Sequence, residues 1–372
     1  IAGDIDRMPI PGLGEKEFAS GDGSFATPFI INNWRHLNNI RNQSAGKYFE
    51  LGADLGPNSI GYETFASATA NSNKGWIPIP AMDLNLDGVG YEIRGLQINR
   101  PDESNVGLFA TVNAQSAVSS LSVFDANVIG QSRVGTLAGK NDGIIFGVAS
   151  SGSVESTAAD ANINTAVFSD AGGLVGHNTG EISTSFSNAQ VSGVETGDGG
   201  LRLGGLVGFN DGGDLIDVYA TGAVTGAGNL GGLVGADGVV DDNSSRSTIQ
   251  RAYAVGLVND GVSATGVGGL VGQSWPDNTD NAPDSYWDTE TTGQPDPGDS
   301  GSFPSPGVGK STAEMKTFTT YTNWNFSLIW NIVNVAEGAD TIVSYPFFLS
   351  PRQSPEPGRD YLATFDVSNQ GS

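Results

Sequence analysis

The chain has 372 residues, of which 54 are Gly, none is Cys and only 17 are Lys or Arg. Abundant Gly and few helix-forming residues favour an all-β, turn-rich fold, and the absence of Cys excludes disulfides and thiolate metal sites. The net charge of −24 would repel nucleic acid and anionic membrane surfaces, so neither is an expected partner. No apolar stretch approaches the ~20 residues that a membrane-spanning helix needs.

An N-terminal cap is predicted within the first 52 residues. Residues 1–24 form no obvious part of a repeat, and they could be disordered or could pair with a sheet edge. They lack the basic and apolar regions of a signal peptide, so we expect a processed form if the protein is exported. Residues 25–52 predict a strand at "PFII", a short amphipathic helix carrying Trp34, Leu37 and Ile40, and a strand at "YFEL".

Calcium binding is one interpretation of the segment "DLNLDG". Asp83, Asn85, Asp87 and Gly88 match the start of a calcium loop, but the twelfth position is Arg94, where a bidentate Glu is needed. A strand followed by a turn explains the same residues. The Asp-rich segments "DGVVDD" and "PDNTDNAPD" could also collect calcium, although loop carboxylates are usually just solvated.

A short apolar motif framed by Gly, "GGLVG", begins at residues 172, 204, 231 and 268. We call this motif the first word of the repeat. Related segments extend the series and place six leucines at equivalent positions, 27 to 37 residues apart: Leu108, Leu137, Leu174, Leu206, Leu233 and Leu270. Such a period predicts a solenoid, and six or seven coils spaced ~4.8 Å apart would build a stack ~30 Å long.

Two details of this first word need explanation. Its Leu and Val are adjacent and cannot both face inward on a regular strand, so we expect either a bulge or an outer cover over the Val. Asn141, Asn178 and Asn210 recur after the word. Stacked amides at these positions could hydrogen-bond from coil to coil, as side-chain ladders do in stacked sheets.

A second word follows the first, as "EISTSFSNAQV", "DLIDVYATGAV" and "TIQRAYAVGLV". Its aliphatic, aromatic and valine positions coincide with offsets of four and then five residues: Ile182, Phe186 and Val191; Leu215, Tyr219 and Val224; Ile249, Tyr253 and Val258. Even steps keep side chains on one strand face and odd steps reverse it. We therefore expect the aliphatic and aromatic residues to share a face, with a corner before the valine.

A C-terminal cap is predicted after a Pro- and Gly-rich connection at residues 294–309. Ser311 and Glu314 form a capping-box pattern for a short helix. The apolar cover at this end of the stack, followed by a final strand at "YPFFL", would come from Trp324, Phe326, Trp330 and Ile332. The segment "SPGVGKST" also ends like a phosphate-binding loop, but Pro304 stands where that loop requires Gly.

Candidate catalytic residues are few. His36 and His177 are the only histidines and no zinc-binding HExxH pair is present; we expect His36 beside Trp34 on the cap helix and His177 in a variable turn. A glycosidase needs two suitably separated carboxyl groups, but Asp241 and Asp242 are adjacent and would point to opposite strand faces. The sequence therefore predicts no catalytic, cofactor-binding or metal-binding residues.

Aromatic residues near the last coil leave one binding alternative open. Trp275, Tyr286 and Trp287 stand among several Asp residues and could stack on sugar rings. In the alternative that we favour, Tyr286 fills the position of Tyr219 and Tyr253 and only the tryptophans are open.

The repeats resemble those of the GLUG-motif proteins, which are secreted or surface-anchored polypeptides of bacteria and archaea. The resemblance rests on "GGLVGHNTGEI", "GGLVGFNDGG", "VYATGAV" and "AYAVGLV", on the upstream "TPFIINNWRHLNNIRN", "KYFELGADL", "WIPIP" and "LDGVGYEIRGLQI", and on the downstream "DSYWDTETTGQ", "STAEMKTF" and "NWNFSLIW". It covers roughly residues 25–350. It implies an extracellular β-solenoid, often within an adhesin, and it implies no single activity.

The expected architecture is therefore all-β, a parallel β-helix or β-solenoid with short capping helices at both ends. We divide it into an N-terminal extension (1–24), an N-terminal cap with the first coils (25–105), a GLUG-repeat solenoid (106–290), and a C-terminal cap and tail (291–372).

The expected function is that of a non-enzymatic structural or adhesive module, secreted or on the cell surface, whose partners are cell-surface components, polysaccharide or other copies of the chain. One alternative is an extracellular filament formed by strand exchange of residues 1–24 or of "YLATFDVSN". A second alternative is a polysaccharide-active β-helix enzyme.

Overall fold

The computed structural model describes residues 16–157, 169–193, 200–238, 247–274, 282–295, 307–337 and 340–349. Strands dominate these ranges, and those between residues 29 and 310 pair in parallel with their neighbours along a stack. The predicted parallel β-helix is therefore confirmed.

The N-terminal cap begins with a strand, a helix and a second strand, as predicted. Its elements are β1 (Phe29–Ile31), α1 (Trp34–Asn39), a 3-10 turn (Ile40–Asn42), β2 (Lys47–Leu51), α2 (Tyr62–Phe65) and α3 (Ala70–Asn73). The Asn33 side chain caps α1 by accepting from the His36 backbone N–H at 2.9 Å. Trp34, Leu37 and Ile40 are fully buried, because this helix packs its apolar side onto the first coils.

The outer edge of β1 is occupied by the chain itself. The Ala19 N–H donates to the carbonyl of Ile30, and the Ile30 N–H donates to the carbonyl of Ser20. Phe18 stacks on Phe29 with ring centroids 4.3 Å apart. Of the two possibilities for residues 1–24, pairing with an edge is what residues 16–24 adopt.

Six coils follow within the described ranges. The first and second contain β3 (Leu84–Asp87), β4 (Glu92–Arg94), β5 (Gln97–Val106), β6 (Phe109–Val112), β7 (Ala117–Ser119), β8 (Ser122–Val134) and β9 (Ala138–Asn141). The third and fourth contain β10 (Ile144–Phe146), β11 (Ala149–Ser156), β12 (Ser169–Gly172), β13 (Val175–Asn178), β14 (Glu181–Gly193), β15 (Leu201–Gly204) and β16 (Val207–Asp211). The fifth and sixth contain β17 (Asp214–Ala220), β18 (Val224–Gly231), β19 (Val234–Gly238), β20 (Thr248–Ala254), β21 (Val258–Gly268) and β22 (Val271–Ser274).

The C-terminal part adds short elements to the stack. They are β23 (Tyr286–Asp288), β24 (Val308–Lys310), α4 (Thr312–Met315), a 3-10 turn (Phe318–Thr320), β25 (Trp330–Asn331), β26 (Asn334–Glu337), β27 (Asp340–Val343) and β28 (Phe347–Phe348). β23 and β24 continue the parallel stack, whereas β25 pairs with β28 and β26 with β27 in antiparallel fashion.

The six repeat leucines lie one above another in the core. Each immediately precedes one strand of a six-stranded parallel sheet, in the order β22, β19, β16, β13, β9 and β6. All six side chains are completely buried. The backbone continues the ladder through the same residues, since Leu174 donates to Leu206, and Leu206 to Leu233, both at 2.9 Å. The predicted coil-to-coil register of the leucines is therefore confirmed.

A bend resolves the problem of adjacent Leu and Val. Gly173 and Leu174 form a bend between β12 and β13, and Val175 begins the next strand. Because the chain turns between the two residues, both side chains are fully buried in one core. Neither of the two expected explanations, a bulge or an outer cover over the Val, is needed.

The glycines of this word are required by close backbone approach. A Cβ on Gly173 would lie 2.2 Å from the carbonyl oxygen of Gly205 in the next coil, and one on Gly176 would lie 2.4 Å from the backbone nitrogen of Val134. Both distances are far inside van der Waals contact. The same conflict recurs one coil further on, where a Cβ on Gly205 would meet the Gly232 carbonyl oxygen at 2.2 Å.

The expectation that the aliphatic and aromatic residues of the second word share a face is wrong. Ile182, Leu215 and Ile249 belong to the main core, but Tyr219 and Tyr253 belong to a second cluster outside it, against which Phe186 packs. The reason is a residue in the left-handed conformation between them: Thr184, Asp217 and Arg251 have φ of 47°, 53° and 51°. This turn reverses the side-chain alternation, so an even step changes face. The predicted break before the valine is present at residues 221–223 and 255–257, but it is absent before Val191, where β14 runs unbroken from Glu181 to Gly193.

We predict that Gly205→Ala destabilises the fold by about 1–3 kcal/mol or more, because its methyl group forces two coil backbones apart. Chemical denaturation would measure the loss. Gly56→Ala is the matched control, since the nearest atom to its added Cβ lies 4.0 Å away and its φ is not positive. Equal stability of the two variants would contradict the packing argument.

Candidate functional site

A ladder of buried amides runs along the inside of the stack. The Asn141 side-chain amide donates to Asn178 Oδ1, Asn178 donates to Asn210 Oδ1, and Asn210 donates to Asp237 Oδ1, each at 2.8 Å. All four side chains are completely buried. Asn178 and Asn210 also donate to the carbonyls of Gly180 and Gly213, which holds the turn that follows each strand. The predicted asparagine stacking is confirmed, and its role is structural.

A cluster of charged residues lies where β12 turns into β13. Asp170 and His177 lie opposite each other across this turn, with Asp170 Oδ2 3.0 Å from His177 Nδ1. Arg202 is paired in register with Asp170 one coil further on and contacts Asp170 Oδ1 through Nε at 2.5 Å. Its guanidinium lies 3.7 Å from the ring centroid of Phe209. We call Asp170, His177, Arg202, Phe209 and Asp211 the polar corner.

The polar corner is a closed charge network. Burial lowers the pKa of His177, but hydrogen bonds to Asp170 and Asp211 raise it, and the net result is a pKa above the ordinary value. Both ring nitrogens face carboxylates, since Nε2 lies 3.4 Å from Asp211 Oδ2. A catalytic histidine needs one nitrogen directed at a nucleophile or substrate. This geometry therefore stabilises an imidazolium, and it offers no nucleophile to activate.

His177 corrects one expectation and reveals residues that sequence reasoning missed. It lies in strand β13 and is only 7% exposed, so it does not occupy a variable turn. A signal for its partners was present, because Asp170 and Arg202 both stand two residues before the first Gly of the repeated word. Equivalent repeat positions become neighbours in the stack, and opposite charges at such positions indicate an ion pair.

An aromatic ladder follows the outside of the stack. Phe186 stacks on Tyr219 with centroids 4.6 Å apart and planes within 2°, and Tyr219 stacks on Tyr253 at 4.8 Å and 8°. These spacings equal the separation of parallel strands, so the rings repeat once per coil. Tyr286 continues the ladder, since it pairs in register with Tyr253. Its predicted equivalence to Tyr219 and Tyr253 is confirmed.

The C-terminal segment covers this ladder along the side of the stack. Phe348 contacts Phe186 and Tyr219, Trp330 contacts Tyr219 and Tyr253, and Trp324 contacts Tyr253 and Tyr286. Trp324 and Trp330 therefore do not cover the end of the stack, where the sequence analysis placed them. They form a lateral strap, which we define as residues 311–337 and 340–349.

Hydrogen bonds fix the strap to the coils. The Trp330 indole donates to Asp217 Oδ1 at 2.8 Å, and the Tyr253 hydroxyl donates to the carbonyl of Pro346 at 2.6 Å. Asp217 also holds Arg251 of the next coil through two contacts of 2.8 and 2.7 Å. Tyr345 donates to Asp288 Oδ2 at 2.7 Å. Burial raises the pKa of Tyr253 well above its ordinary value, so its hydroxyl remains a donor.

The predicted capping box is present at the start of the strap. The Ser311 N–H donates to Glu314 Oε2 at 2.9 Å, and the Glu314 N–H donates back to Ser311 Oγ at 3.4 Å. Residues Val308–Lys310 form strand β24 against Tyr286–Asp288. A phosphate-binding loop needs a strand, a loop and a helix in succession, so this segment does not have that structure.

An open groove of about 560 Å³ lies beside the start of the strap, lined by Tyr286, Val308, Lys310, Ala313, Glu314, Thr317, Thr319 and Thr320. Its two charged groups lie close to each other, with Lys310 Nζ 3.6 Å from Glu314 Oε1. Both are partly exposed. The groove has no pair of carboxyl groups of the kind that glycosidases use.

The candidate calcium residues lie on a strand and the turn after it. Asp83 immediately precedes β3, Asn85 and Asp87 belong to it, and the Asp87 carboxylate accepts from the Val89 N–H at 2.8 Å. Asp83 accepts from the Asn113 side-chain amide at 3.0 Å. A calcium loop wraps its ligands around the ion, whereas alternate residues of a strand are spread along one face. The strand-and-turn interpretation is therefore the correct one.

The remaining candidates are buried or lie outside the described residues. Trp287 is 1% exposed and packs its ring over Gly269, so the expectation of an open, sugar-stacking Trp287 is wrong. Trp275, Asp241, Asp242 and the segment "YLATFDVSN" lie outside the described residues. His36 lies on α1 near Trp34, as expected.

Two further searches concern only the part of the chain that the structure describes. There, His, Asp and Glu side chains nowhere gather in groups of three that could hold a metal ion. None of the helices in that part has the length and hydropathy of a membrane span.

A match to a protein family falls within the repeats. Residues 199–225 match the family described as "The GLUG motif". These residues include the word "GGLVG" at 204 and the ladder residue Tyr219. The resemblance inferred from the repeats is confirmed by this match.

Two similar curated proteins span most of this chain. Halomucin of Haloquadratum walsbyi is 29% identical over 278 residues, which is 74% of this chain and 3% of halomucin. A protein of Evansella cellulosilytica, provisionally named a Gly-rich membrane protein, is 28% identical over 413 residues, which is 85% of this chain and 44% of that protein. The chain thus spans less than half of either relative.

The fold is similar to that of a solved bacterial structure. It comes from Bacteroides ovatus, where the protein has been provisionally named an immunoglobulin A1 protease. The TM-score is 0.62 at 19% identity, with 90% of this chain and 95% of that chain covered. At this identity the likeness concerns architecture, since one fold hosts many functions.

We predict that Asn178→Ala costs about 2–4 kcal/mol of unfolding free energy. The substitution removes the side-chain donor to Asn210 Oδ1 and the shortest hydrogen bond of the Asn141 amide, which keeps only longer contacts to the carbonyls of Gly143 and Glu181. Loss of a buried hydrogen-bond partner costs about 1–3 kcal/mol per group. Denaturant titration would measure this loss. Asn259→Ala, at an exposed strand position, is the control and should change stability by less than ~0.5 kcal/mol. Similar losses in both variants would contradict a structural role for the ladder.

We also predict that His177 stabilises the fold more in mild acid than in mild base. Because its folded pKa is raised, its stabilising contribution is complete below the unfolded value of about 6.5 and is lost as pH rises through the folded value. The measurement is the unfolding free energy of wild type minus that of His177→Gln, at pH 5.5 and pH 8.5. Effects of groups that do not contact His177 cancel in this difference. A difference that is larger at pH 8.5 would refute the charged network.

Proposed function

We propose that this chain is an extracellular, non-enzymatic structural module that holds a rigid surface for attachment. The observation that carries the proposal is the six-coil stack, whose leucines, glycines and asparagines repeat in register. Residues of this kind determine the geometry of a scaffold and leave the exposed positions free to vary. Solenoids use such exposed faces as extended binding surfaces.

The charged groups support the non-enzymatic part of the proposal. In the polar corner, Asp170 lies between His177 and Arg202, and Asp217 binds both Arg251 and Trp330. Each carboxylate is thus engaged by structural partners. Catalytic carboxyl groups instead face a cleft where a substrate can enter.

The relatives and the composition support an extracellular location. One similar protein is named halomucin and another is named as a membrane protein, and residues 199–225 of this chain match the GLUG motif. The net charge of −24 suits a protein that remains soluble in salt-rich surroundings, where ions screen self-repulsion. The strand-exchange alternative has less support, because Ala19 and Ser20 already pair with Ile30 in the same chain.

Surface labelling of intact source cells tests the proposal. A membrane-impermeant amine reagent should label the protein before lysis, because Lys74 and other lysines are exposed. Purified protein should release no reducing sugar from a polysaccharide panel and should leave immunoglobulin A1 intact. Labelling that appears only after lysis would refute the location, and turnover of any of these substrates would refute the non-enzymatic assignment.

A further inference from the structure

One outer face of the solenoid carries almost no charge. On each of the six coils, the two residues on either side of one buried aliphatic residue point outward; that residue is Ile98 in the first coil and a valine in the other five. They are Gln97, Asn99, Asn127, Ile129, Ser153, Glu155, Gln190, Ser192, Ala223, Thr225, Leu257 and Asn259. We call this set the neutral face, since Glu155 is its one charged member among these described positions.

The residues of the neutral face stand in two straight rows. Ser153 is in register with Asn127 and Gln190, and Glu155 with Ile129 and Ser192. Neighbouring coils continue both rows, because Gln97 pairs with Asn127, and Thr225 pairs with Ser192 and Asn259. The rows therefore repeat at the coil spacing of ~4.8 Å and extend for about 24 Å.

A second outer face, formed by residues of β3, β7, β10, β14, β17 and β20, lies beside the neutral face and can be compared with it directly. On the same six coils it presents Asn85, Asp87, Ala117, Ser119, Ile144, Phe146, Glu181, Ser183, Asp214, Ile216, Thr248 and Gln250. Three of these are acidic, and Ile144 and Phe146 are about half exposed. The neutral face instead presents eight amide or hydroxyl side chains. Of these two faces, the neutral face is the one that a partner can approach with less charge desolvation.

Hydrogen bonds align part of the neutral face. The Asn127 amide donates to Gln97 Oε1 at 3.3 Å, and the Ser153 hydroxyl donates to Asn127 Oδ1 at 3.0 Å. These contacts run from coil to coil and restrict the exposed side chains to common orientations. A ligand that binds an ordered row pays less conformational entropy than one that binds mobile side chains.

We propose that the neutral face binds an uncharged polysaccharide along its two rows. Amide and hydroxyl groups form hydrogen bonds with sugar hydroxyls, and an extended polymer can make the same weak contact on each coil, which multiplies the affinity. An anionic polymer would be repelled by the acidic remainder of the chain. This proposal goes beyond the structural role proposed above. It depends on the extracellular location of the chain only because that location determines where the polysaccharide would come from.

The dimensions of the neutral face favour a polymer chain over a second protein copy. Two outward residues per strand span about 7 Å, so with side chains the face covers roughly 300 Å². A stable protein interface buries about 800 Å² on each partner and contains aromatic or Arg anchors. The neutral face has no aromatic or Arg member, and its width fits a single extended chain.

Affinity electrophoresis tests this proposal. We expect at least one of four soluble neutral polysaccharides (dextran, starch, galactomannan and laminarin) to retard the native protein, and we expect alginate, which is anionic, not to do so. Substituting Asn127→Ala, Gln190→Ala and Asn259→Ala together should weaken retardation at least tenfold. The control, Asn85→Ala with Gln250→Ala, removes two amides from the acidic neighbouring face and should stay within twofold of wild type. Thermal melts would verify that both variants are folded, and Gln190→Ala alone provides a milder variant.

The outcomes distinguish this proposal from the others. Retardation by no neutral polysaccharide, equal retardation of wild type and the triple variant, or stronger retardation by alginate would each overturn it. A dimer in analytical ultracentrifugation that is lost in the triple variant would overturn it in favour of a second copy. Because surface labelling of cells does not involve the neutral face, loss of retardation and failure of the extracellular assignment are separately observable.

Discussion

The rest of the structure depends on the close approach of backbones at the "GGLVG" bend. A Cβ on Gly173 or Gly205 would lie 2.2 Å from a carbonyl oxygen of the next coil, so Gly at these positions lets the coils stack at strand spacing. Before Leu137 the equivalent residue is Thr136, which is buried and donates its hydroxyl to the Gly173 carbonyl at 2.7 Å. Once the coils stack at that spacing, every position of one repeat lies beside its equivalent in the next. The leucine column, the asparagine ladder and the aromatic ladder are consequences of this register, because each requires like residues ~4.8 Å apart.

Stacking in register also determines which charges can be buried. Asp170 beside Arg202, and Asp217 beside Arg251, are ion pairs between consecutive coils. A repeat protein with identical coils would place like charges next to each other, which is destabilising. Variation between repeats therefore has a physical reason. The repeats keep the same residue where Gly, Leu or Asn is needed, and consecutive repeats carry side chains of opposite charge where charge is buried.

The lateral strap solves a problem that the repeat creates. Phe186, Tyr219 and Tyr253 each follow the left-handed residue of their coil, so their rings point away from the core. Without a cover, such a row of rings would form an exposed apolar stripe. Trp324, Trp330 and Phe348 cover this stripe and connect four consecutive coils. Among its described residues, the neutral face carries no such stripe.

The spacing of the repeats in the sequence determined the solenoid, the leucine register and the stacked amides, because these features depend on periodic residues. Local pattern determined the strand-helix-strand order of the N-terminal cap and the Ser311–Glu314 capping box, because these depend on residues that are adjacent in the sequence. Only the tertiary structure decided that Tyr219 and Tyr253 face outward, since the left-handed backbone recurs at Thr184, Asp217 and Arg251, three residue types with no common preference for it. It also decided that the strap lies along the side of the stack and that His177 lies between two carboxylates. Both arrangements bring together residues from different coils or from distant parts of the chain, and such contacts leave no local pattern.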